Sequence, residues 1–434
     1  FTAVGAQIGS AADAFGCEMV LKVRAPSAEE RAQIKPGTVL VGMLNPFDAE
    51  GIAAMASAGL TAFALEAAPR ITRAQSMDVL SSQANIAGYK AVLMAANTYQ
   101  RFMPMLMTAA GTVKAARVLI MGVGVAGLQA IATAKRLGAV IEASDVRPPV
   151  KEQVESLGAK FIDVPYETDE EREIAQGSGG YARPMPEAWM KRQAALVHER
   201  AKQADIIITT ALIPGRKAPV LISEETVKAM KPGSVIVDMA VEQGGNCPLS
   251  ELGKTVIKHG VHIIGEGNIP ATCAADASAL YARNVIDFMK LIIDKDGNLA
   301  IDRSDEIVAA TLVAHGGELL RREVGEVGAL PRPHRLELVA GDALAHLLDH
   351  ARLDLNRRAL GRPEAIPGGD GVVRQACLDG AGHVREGGIA LLARDHQRLD
   401  APGLDVAGRG AQAVEHDVHL PAHQIAQRGA GAGV

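Results

Sequence analysis

The chain is poor in the residues that staple small secreted proteins. Its 434 residues hold four cysteines, Cys17, Cys247, Cys273 and Cys377, far apart and without a CxxC pair. That spacing excludes a disulfide framework and a cysteine-based zinc site, and it suits a reducing compartment. Aromatic residues make up 3% of the chain, with Trp189 the single tryptophan. No apolar run reaches the roughly 20 residues that a membrane helix needs. The most apolar stretch, 51–68, is broken by Gly59 and Glu66 and stops before Pro69. No segment reads as a signal peptide. A net charge of −5 offers no basic surface for nucleic acid. A Ser–His–Asp or Cys–His pattern for nucleophilic catalysis is missing too. The chain opens on Phe1 inside a helix–turn pattern, which predicts that the native start lies further upstream.

The last quarter lacks more. From Arg321 onward there is no Lys, Ser, Thr, Phe, Tyr, Trp or Met. Eight of the twelve histidines fall there, and 14 Arg nearly balance 15 Asp plus Glu. Globular domains do not normally omit hydroxyls and aromatics over such a length. Residues 320–434 are therefore expected to be a low-complexity or out-of-frame tail that stays off the core. Its histidines are poor metal ligands despite the i, i+4 spacing of His346 and His350, and no metal site is expected.

What remains is rich in core-forming residues, with 48% hydrophobic and 22% charged overall. Strands are expected at 19–23, 38–43 and 61–65, and a long helical pattern runs from about Ser76 to Phe102. Beyond it, strand and helix alternate, with strands at 160–164, 205–209, 234–239 and 262–265. A second long helix covers about 274–293. Alternation of this kind builds doubly wound parallel sheets. The expected architecture is α/β: two Rossmann-like domains joined by long helices. The first covers 1–113, completed by 274–319; the second covers 114–273.

The second domain opens on the most specific signal. Val118–Met121 reads as a buried strand, and Gly122, Gly124 and Gly127 follow in GxGxxG spacing. A helix over Leu128–Leu137 and a strand over Ala139–Ala143 come next, ending at Asp145. Gly122 permits the tight turn, Gly124 lets backbone approach a pyrophosphate, and Gly127 lets the helix pack close to the sheet. The helix N-terminus faces the phosphate charge. Asp145 stands 21 residues after Gly124, where a carboxylate bonds a ribose 2′-OH and repels the 2′-phosphate of NADP(H). Dinucleotide binding, as NAD(H), is the reading. Arg147 has two roles open to it, an adenosine contact or a solvated side chain.

Three further segments go beyond a generic dinucleotide fold: PRITRAQSMDVLSSQANIAGYKAV (69–92), ITTALIPGRKAPVLI (208–222) and DMAVEQGGNCPLSE (238–251). With the glycine loop, they resemble the NAD(H)-binding domain, on the alpha subunit, of proton-translocating NAD(P) transhydrogenases, in the alanine dehydrogenase/transhydrogenase family. The resemblance covers about 1–319. It implies reversible Re/Si-specific hydride transfer between NADH and NADP⁺, with NADP(H) held by a partner subunit and protons moved by a membrane-embedded one. It also implies a homodimer on the cytoplasmic side of the inner membrane, as a peripheral subunit. Direct transfer between two nicotinamide rings needs no acid–base pair, so catalysis rests on ring approach and exclusion of water.

By motif match, Arg70, Gln75, Asp78 and Ser81 surround the nicotinamide. Arg70 and Asp78 hold each other in the functional reading. In the bland reading Gln75 and Ser76 cap the long helix and Arg70–Asp78 is a surface ion pair. Val125 lies along the cofactor, Gly180 and Tyr181 match a mobile loop that folds over it, and Gly244, Gly245 and Asn246 approach it after a strand end. The loop Gly265–Pro270 departs from the family pattern at Glu266-Gly267-Asn268. Two other readings stand beside this one. An alanine dehydrogenase-like oxidoreductase would draw its cation from Lys22 or Arg24, but VGMLNPFD (41–48) has no His and Glu242-Gln243 replaces the expected Asp. The other is a non-catalytic NAD-binding fragment.

Overall fold

The computed structural model describes residues 5–176, 185–213, 215–320, 376–378 and 389–392. The first lobe opens with α1 (Ala11–Phe15), β1 (Met19–Arg24), α2 (Ala28–Arg31), β2 (Val39–Met43), α3 (Ala49–Ser57) and β3 (Thr61–Ala64). Its short helices start where the sequence supplies caps. Ser10 and Asp13 form a capping box on α1, Ser27 and Glu30 do so on α2, and Asp48 caps α3. A 3₁₀ segment over Thr72–Met77 then leads into the spine helix α4 (Val79–Thr98).

The chain crosses to the second lobe through a hairpin of β4 (Leu106–Thr108) and β5 (Gly111–Val113). There follow β6 (Arg117–Met121), α5 (Val125–Arg136), β7 (Val140–Ser144), α6 (Val150–Ser156), β8 (Lys160–Phe161), α7 (Asp169–Gln176) and α8 (Glu187–Ala201). The lobe finishes with β9 (Ile206–Thr209), α9 (Glu224–Ala229), β10 (Val235–Asp238), β11 (Lys254–Lys258) and β12 (Val261–Gly265). Its sheet runs β11-β12-β10-β9-β6-β7-β8, parallel throughout except for β11 at the edge. This is the doubly wound order, and its switch point falls between β6 and β9. Parallel strands are covered on both faces and so read as continuous apolar runs. Ile206–Ile208 and Val235–Val237 are buried accordingly.

The helix α10 (Ala274–Ile292) returns the chain to the first lobe, followed by α11 (Glu306–Thr311), β13 (Leu312–His315) and β14 (Glu318–Leu319). Phe288, Val285 and Ile292 of α10 pack on Val41, Phe63 and Leu65. The two long helices are tied by polar contacts: Ser82 Oγ donates to Asn284 Oδ1 at 2.8 Å and Asn284 Nδ2 donates to Ser76 O at 2.7 Å.

Two short tail segments depart from expectation. β15 (Ala376–Leu378) and β16 (Ile389–Leu392) join the first sheet, with β16 parallel to β1 from Met19↔Ile389 to Lys22↔Leu392. This part of the tail does not stay off the core. Beyond β2, β1 has a second edge of N–H and C=O groups that seek a strand, and the run Ile389–Leu392 supplies one.

Candidate functional site

The C-terminal ends of the second sheet carry the loops named above, at the place where open α/β sheets bind ligands. Gly122 leaves β6 at φ +92°, a conformation that favours glycine. Its N–H donates to Ser144 O at 2.9 Å, and Thr210 Oγ1 donates to its carbonyl at 2.8 Å. A Cβ here would lie 2.7 Å from Thr210 Oγ1, so the turn is also sterically closed. Gly127 is tighter still, with a Cβ position 2.1 Å from Gly122 O, which brings α5 hard against the strand end. Gly124 caps α5, and no atom comes within 4 Å of where its Cβ would sit. Val125 follows, about one-third exposed. The first turn of α5 thus presents bare N–H groups across a glycine with clear space beside it, the arrangement that suits a phosphate.

Asp145 is 7% exposed and fully engaged. Its Oδ2 accepts from Val123 N at 2.7 Å and from Arg147 Nη2 at 2.8 Å. Its Oδ1 accepts from Arg147 N and Nε, both at 2.9 Å. Four donors fill the usual lone-pair positions of a carboxylate. Burial alone would raise its pKa. The Arg147 guanidinium and the surrounding N–H groups outweigh burial and hold it below the usual carboxylate range. Of the two roles open to Arg147, the structure favours neither: its guanidinium clamps Asp145 and also donates to Val123 O at 3.1 Å.

Asn246 is tied into the chain. It is fully buried, and its amide is committed to the chain. Nδ2 donates to Ala211 O at 2.9 Å and Pro219 O at 2.7 Å, while Oδ1 accepts from Ala211 N at 3.2 Å. The residue staples the 211–219 loop. Gly244 and Gly245 sit at φ +90° and +76° and wrap the chain around Asp238, which sequence reasoning did not single out. This fully buried carboxylate at the end of β10 accepts from Ala240 N, Asn246 N, Cys247 N, Thr209 Oγ1 and Ser250 Oγ. A polar residue closing an apolar strand was its one sequence signal.

The 69–81 segment leads from the first lobe into the spine helix. Asp78 caps α4, accepting from Ser81 N at 2.9 Å and Ser81 Oγ at 2.6 Å. The cap is thus Asp78, not Gln75 or Ser76, and Asp78 is held by Ser81. Arg70 and Gln75 are exposed on the 3₁₀ approach. The spine helix then crosses α5 closely: a Cβ on Gly88 would lie 2.1 Å from Ala126 O. Ten residues separate Asp78 from Gly88, about 15 Å along the helix axis, so one rigid element fixes the spacing of the two groups. Gly180 and Tyr181 lie outside the described residues.

The first lobe closes the crevice. Arg24 Nη1 pairs with Glu242 Oε1 at 2.9 Å, and a Cβ on Gly215 would stand 3.0 Å from Phe47 Cδ1. Behind Phe47, Glu66 accepts from Leu44 N at 3.0 Å and Asn45 N at 2.8 Å, holding Asn45 at φ +52°. Burial raises the Glu66 pKa against these hydrogen bonds. Lys22, 4% exposed, pairs with Glu30 at 3.0 Å. In the 265–270 loop, Glu266 accepts from its own Asn268 N at 3.0 Å. Among the described residues no cluster of His, Cys, Asp or Glu is arranged to hold a metal, and no helix is long and apolar enough to cross a membrane.

Comparison with known proteins adds to this geometry. The family model described as alanine dehydrogenase/PNT, N-terminal domain, matches residues 1–87, and the C-terminal domain of the same family matches 91–322. An NAD(P) transhydrogenase subunit alpha protein from Rhodospirillum rubrum is 52% identical over 337 residues, covering 76% of this chain and 87% of that protein. A solved transhydrogenase from Sinorhizobium meliloti matches with a TM-score of 0.64 and 52% identity, over 73% of this chain and 84% of that one. An alanine dehydrogenase from Halomonas elongata is more distant, 29% identical over 72% of this chain and 79% of that protein. With both domains matched in order, the chain belongs to the alanine dehydrogenase/PNT family.

Proposed function

We propose that this chain is the NAD(H)-binding subunit of a proton-translocating NAD(P) transhydrogenase. In this reading it presents NADH for Re/Si-specific hydride transfer to NADP⁺ held by a partner subunit, while a membrane-embedded subunit moves protons. It works as a homodimer, peripheral on the cytoplasmic side of the inner membrane. The observation that carries the reading is the cradle of Gly122, Gly124 and Gly127 with Asp145 beside it, in a chain half identical to a transhydrogenase alpha subunit.

The residues fit the dinucleotide. The bare first turn of α5 takes the pyrophosphate over Gly124, and Val125 lines its path. Asp145 recognises the ribose, which requires the Arg147 side chain to swing off one or both carboxylate oxygens. When bound, NADH supplies the hydride. Arg70, Gln75, Asp78 and Ser81 orient the nicotinamide end, with the Asp78–Ser81 cap keeping that end in register with α4. Gly180 and Tyr181 contribute by closing over the cofactor. Gly244, Gly245 and Asn246 act by shaping the loops around Asp238. No acid–base pair is required, and the transfer is promoted by ring approach and exclusion of water.

Alanine oxidation is disfavoured because both candidate cations are engaged, Lys22 with Glu30 and Arg24 with Glu242. The test is equilibrium titration with NADH and with NADPH. NADH is expected to bind at least about tenfold more tightly, and Asp145→Ala to weaken NADH. Tighter NADPH binding, or clear alanine-dependent reduction of NAD⁺, would overturn the reading. NADH binding with no hydride transfer to a competent partner would favour the non-catalytic NAD-binding fragment, and loss of all binding would overturn both readings.

A further inference from the structure

At the C-terminal ends of β2 and β3, the first lobe holds a carboxylate that the proposed function leaves without a task. Glu66 follows β3 and reaches across to the chain leaving β2. Its Oε2 accepts from Leu44 N at 3.0 Å and its Oε1 from Asn45 N at 2.8 Å. The two oxygens thus take two successive backbone N–H groups, and an ionised carboxylate makes such bonds stronger than a neutral acceptor does. They hold a conformation that the chain disfavours. Asn45 stands at φ +52°, in the left-handed region, and it precedes Pro46, which narrows its backbone choices further. Asp48 N then donates to Asn45 O at 2.9 Å and Asp48 caps α3, so 44–48 forms one closed turn.

That turn carries Phe47 to the second lobe. Gly215 sits at φ +69°, and a Cβ there would meet Phe47 Cδ1 at 3.0 Å and Phe47 Cβ at 3.1 Å, so the side chain lies against bare backbone. The second-lobe side of this contact is fixed. Asn246 Nδ2 holds Ala211 O and Pro219 O, and Ala218 N donates to Gln243 O at 2.8 Å. The 211–219 loop also begins beside Thr210, whose Oγ1 donates to Gly122 O in the glycine cradle. With that side fixed, the placing of Phe47 rests on the turn that Glu66 holds. In the other direction the chain runs from Glu66 through Pro69 to Arg70. Glu66 thus stands where the segment proposed for the nicotinamide meets the contact between the lobes.

We infer that Glu66 is a positioning residue for hydride transfer: it holds the 44–48 turn so that Phe47 seats on Gly215 and sets the approach of the two lobes. The inference takes the reaction from the proposed function and the geometry from the hydrogen bonds and the Phe47 contact. Those bonds go to Leu44 and Asn45, neither of which is proposed to hold NADH, so Glu66 acts on transfer rather than on binding. Transfer is sensitive to such placing, since a misplacement of about 1 Å far from the chemistry costs on the order of 100-fold in rate.

The experiment follows NADH-to-NADP⁺ transfer by the full chain with a saturating NADP(H)-binding subunit of a transhydrogenase, beside NADH titration. A parallel sample carries para-fluorophenylalanine in place of Phe47, and its fluorine resonance is recorded. Glu66→Gln keeps the size but offers one acceptor oxygen and turns an NH₂ toward a backbone N–H. It is expected to lower kcat at least about tenfold and to leave NADH affinity within about threefold. The resonance at position 47 should move toward that of a solvent-exposed ring. Phe47→Ala should slow transfer as much, and the double variant no further, because both changes break one line of contact. An unchanged resonance or an unchanged rate in Glu66→Gln would overturn the inference, as would a double variant slowed by the product of the two single effects. If Glu66→Gln fails to fold, Phe47→Ala leaves the carboxylate in place and carries the test, and transfer at the unaltered rate in it would overturn the inference. An unaltered chain that binds NADH yet supports no transfer would overturn the transhydrogenase reading, and the resonance in Glu66→Gln then decides by itself whether Glu66 seats Phe47.

Discussion

At the scale of single residues, two carboxylates do unlike work. Asp238 is buried and gathers five donors, so it organises the loops after β9 and β10. Asp145 is also saturated, but two of its four donors are the guanidinium nitrogens Nε and Nη2 of Arg147. Backbone donors cannot leave without unfolding the loop, whereas a guanidinium on a side chain can. Arg147→Ala is therefore expected to expose acceptor positions for a ribose. We predict that NADH affinity rises about threefold or more, read by fluorescence titration. The Asp145 pKa should rise at the same time, because its main opposing charge is gone. Its low folded value adds stability above the unfolded value that is lost as pH falls. The variant should thus unfold less steeply with acid. Weaker NADH binding in this variant would mean that Arg147 touches the cofactor instead.

At the scale of elements, the spine helix joins the two groups proposed to hold the cofactor. Its start depends on Asp78 and its approach to α5 depends on Gly88. Asp78→Ala is expected to lose about 1 kcal/mol of stability through the cap, with a drop in melting temperature. Asp78→Asn keeps an acceptor for Ser81 N and should melt nearly as the original does. If the charge at Asp78 also acts on the nicotinamide, both variants slow hydride transfer, although only one is unstable. Gly88→Ala drives a Cβ into the Ala126 carbonyl, which is backbone and cannot turn aside. Overpacking of this kind costs about 1–3 kcal/mol or more, and a 2.1 Å approach to backbone puts it above the roughly 1 kcal/mol that alanine gains over glycine in helix propensity. Its melting temperature should therefore fall rather than rise.

Much of this was legible in the sequence, for physical reasons. Strands such as Ile206–Thr209 and Val235–Asp238 are buried on both faces, so their apolar runs are short, dense and bounded. The glycine loop was legible because each glycine answers a separate steric demand. The β4–β5 hairpin was not, because its turn carries Ala109-Ala110 where a hairpin normally signals itself with Asn or Gly. The edge strand β11 was not legible, because its Lys254 and Lys258 ends dilute the short apolar run that marks a strand. The backbone bonds of Asn246 were not legible, because a buried amide facing backbone and one facing a ligand look alike in sequence. The tail reads as foreign by composition, yet Ile389–Leu392 pairs with β1, since an open strand edge accepts any short apolar run.

At the scale of the whole molecule, two α/β lobes face each other across a crevice. The ion pair that bridges them is slight. Arg24 and Glu242 are each close to half exposed, so their ion pair contributes about 0–1 kcal/mol. Its value lies in fixing how the lobes approach, not in stability. The proposed function asks this subunit to hold one cofactor for a reaction completed by another. The measurement that bears most directly on this is hydride transfer in a mixture of the purified chain with the NADP(H)-binding subunit of a transhydrogenase. NADH and NADP⁺ are supplied, and NADPH formation is followed. Transfer is expected only when both proteins are present, and it should fall in Arg70→Ala and Asp145→Ala. A chain that binds NADH tightly yet supports no transfer with a competent partner would contradict the proposed function.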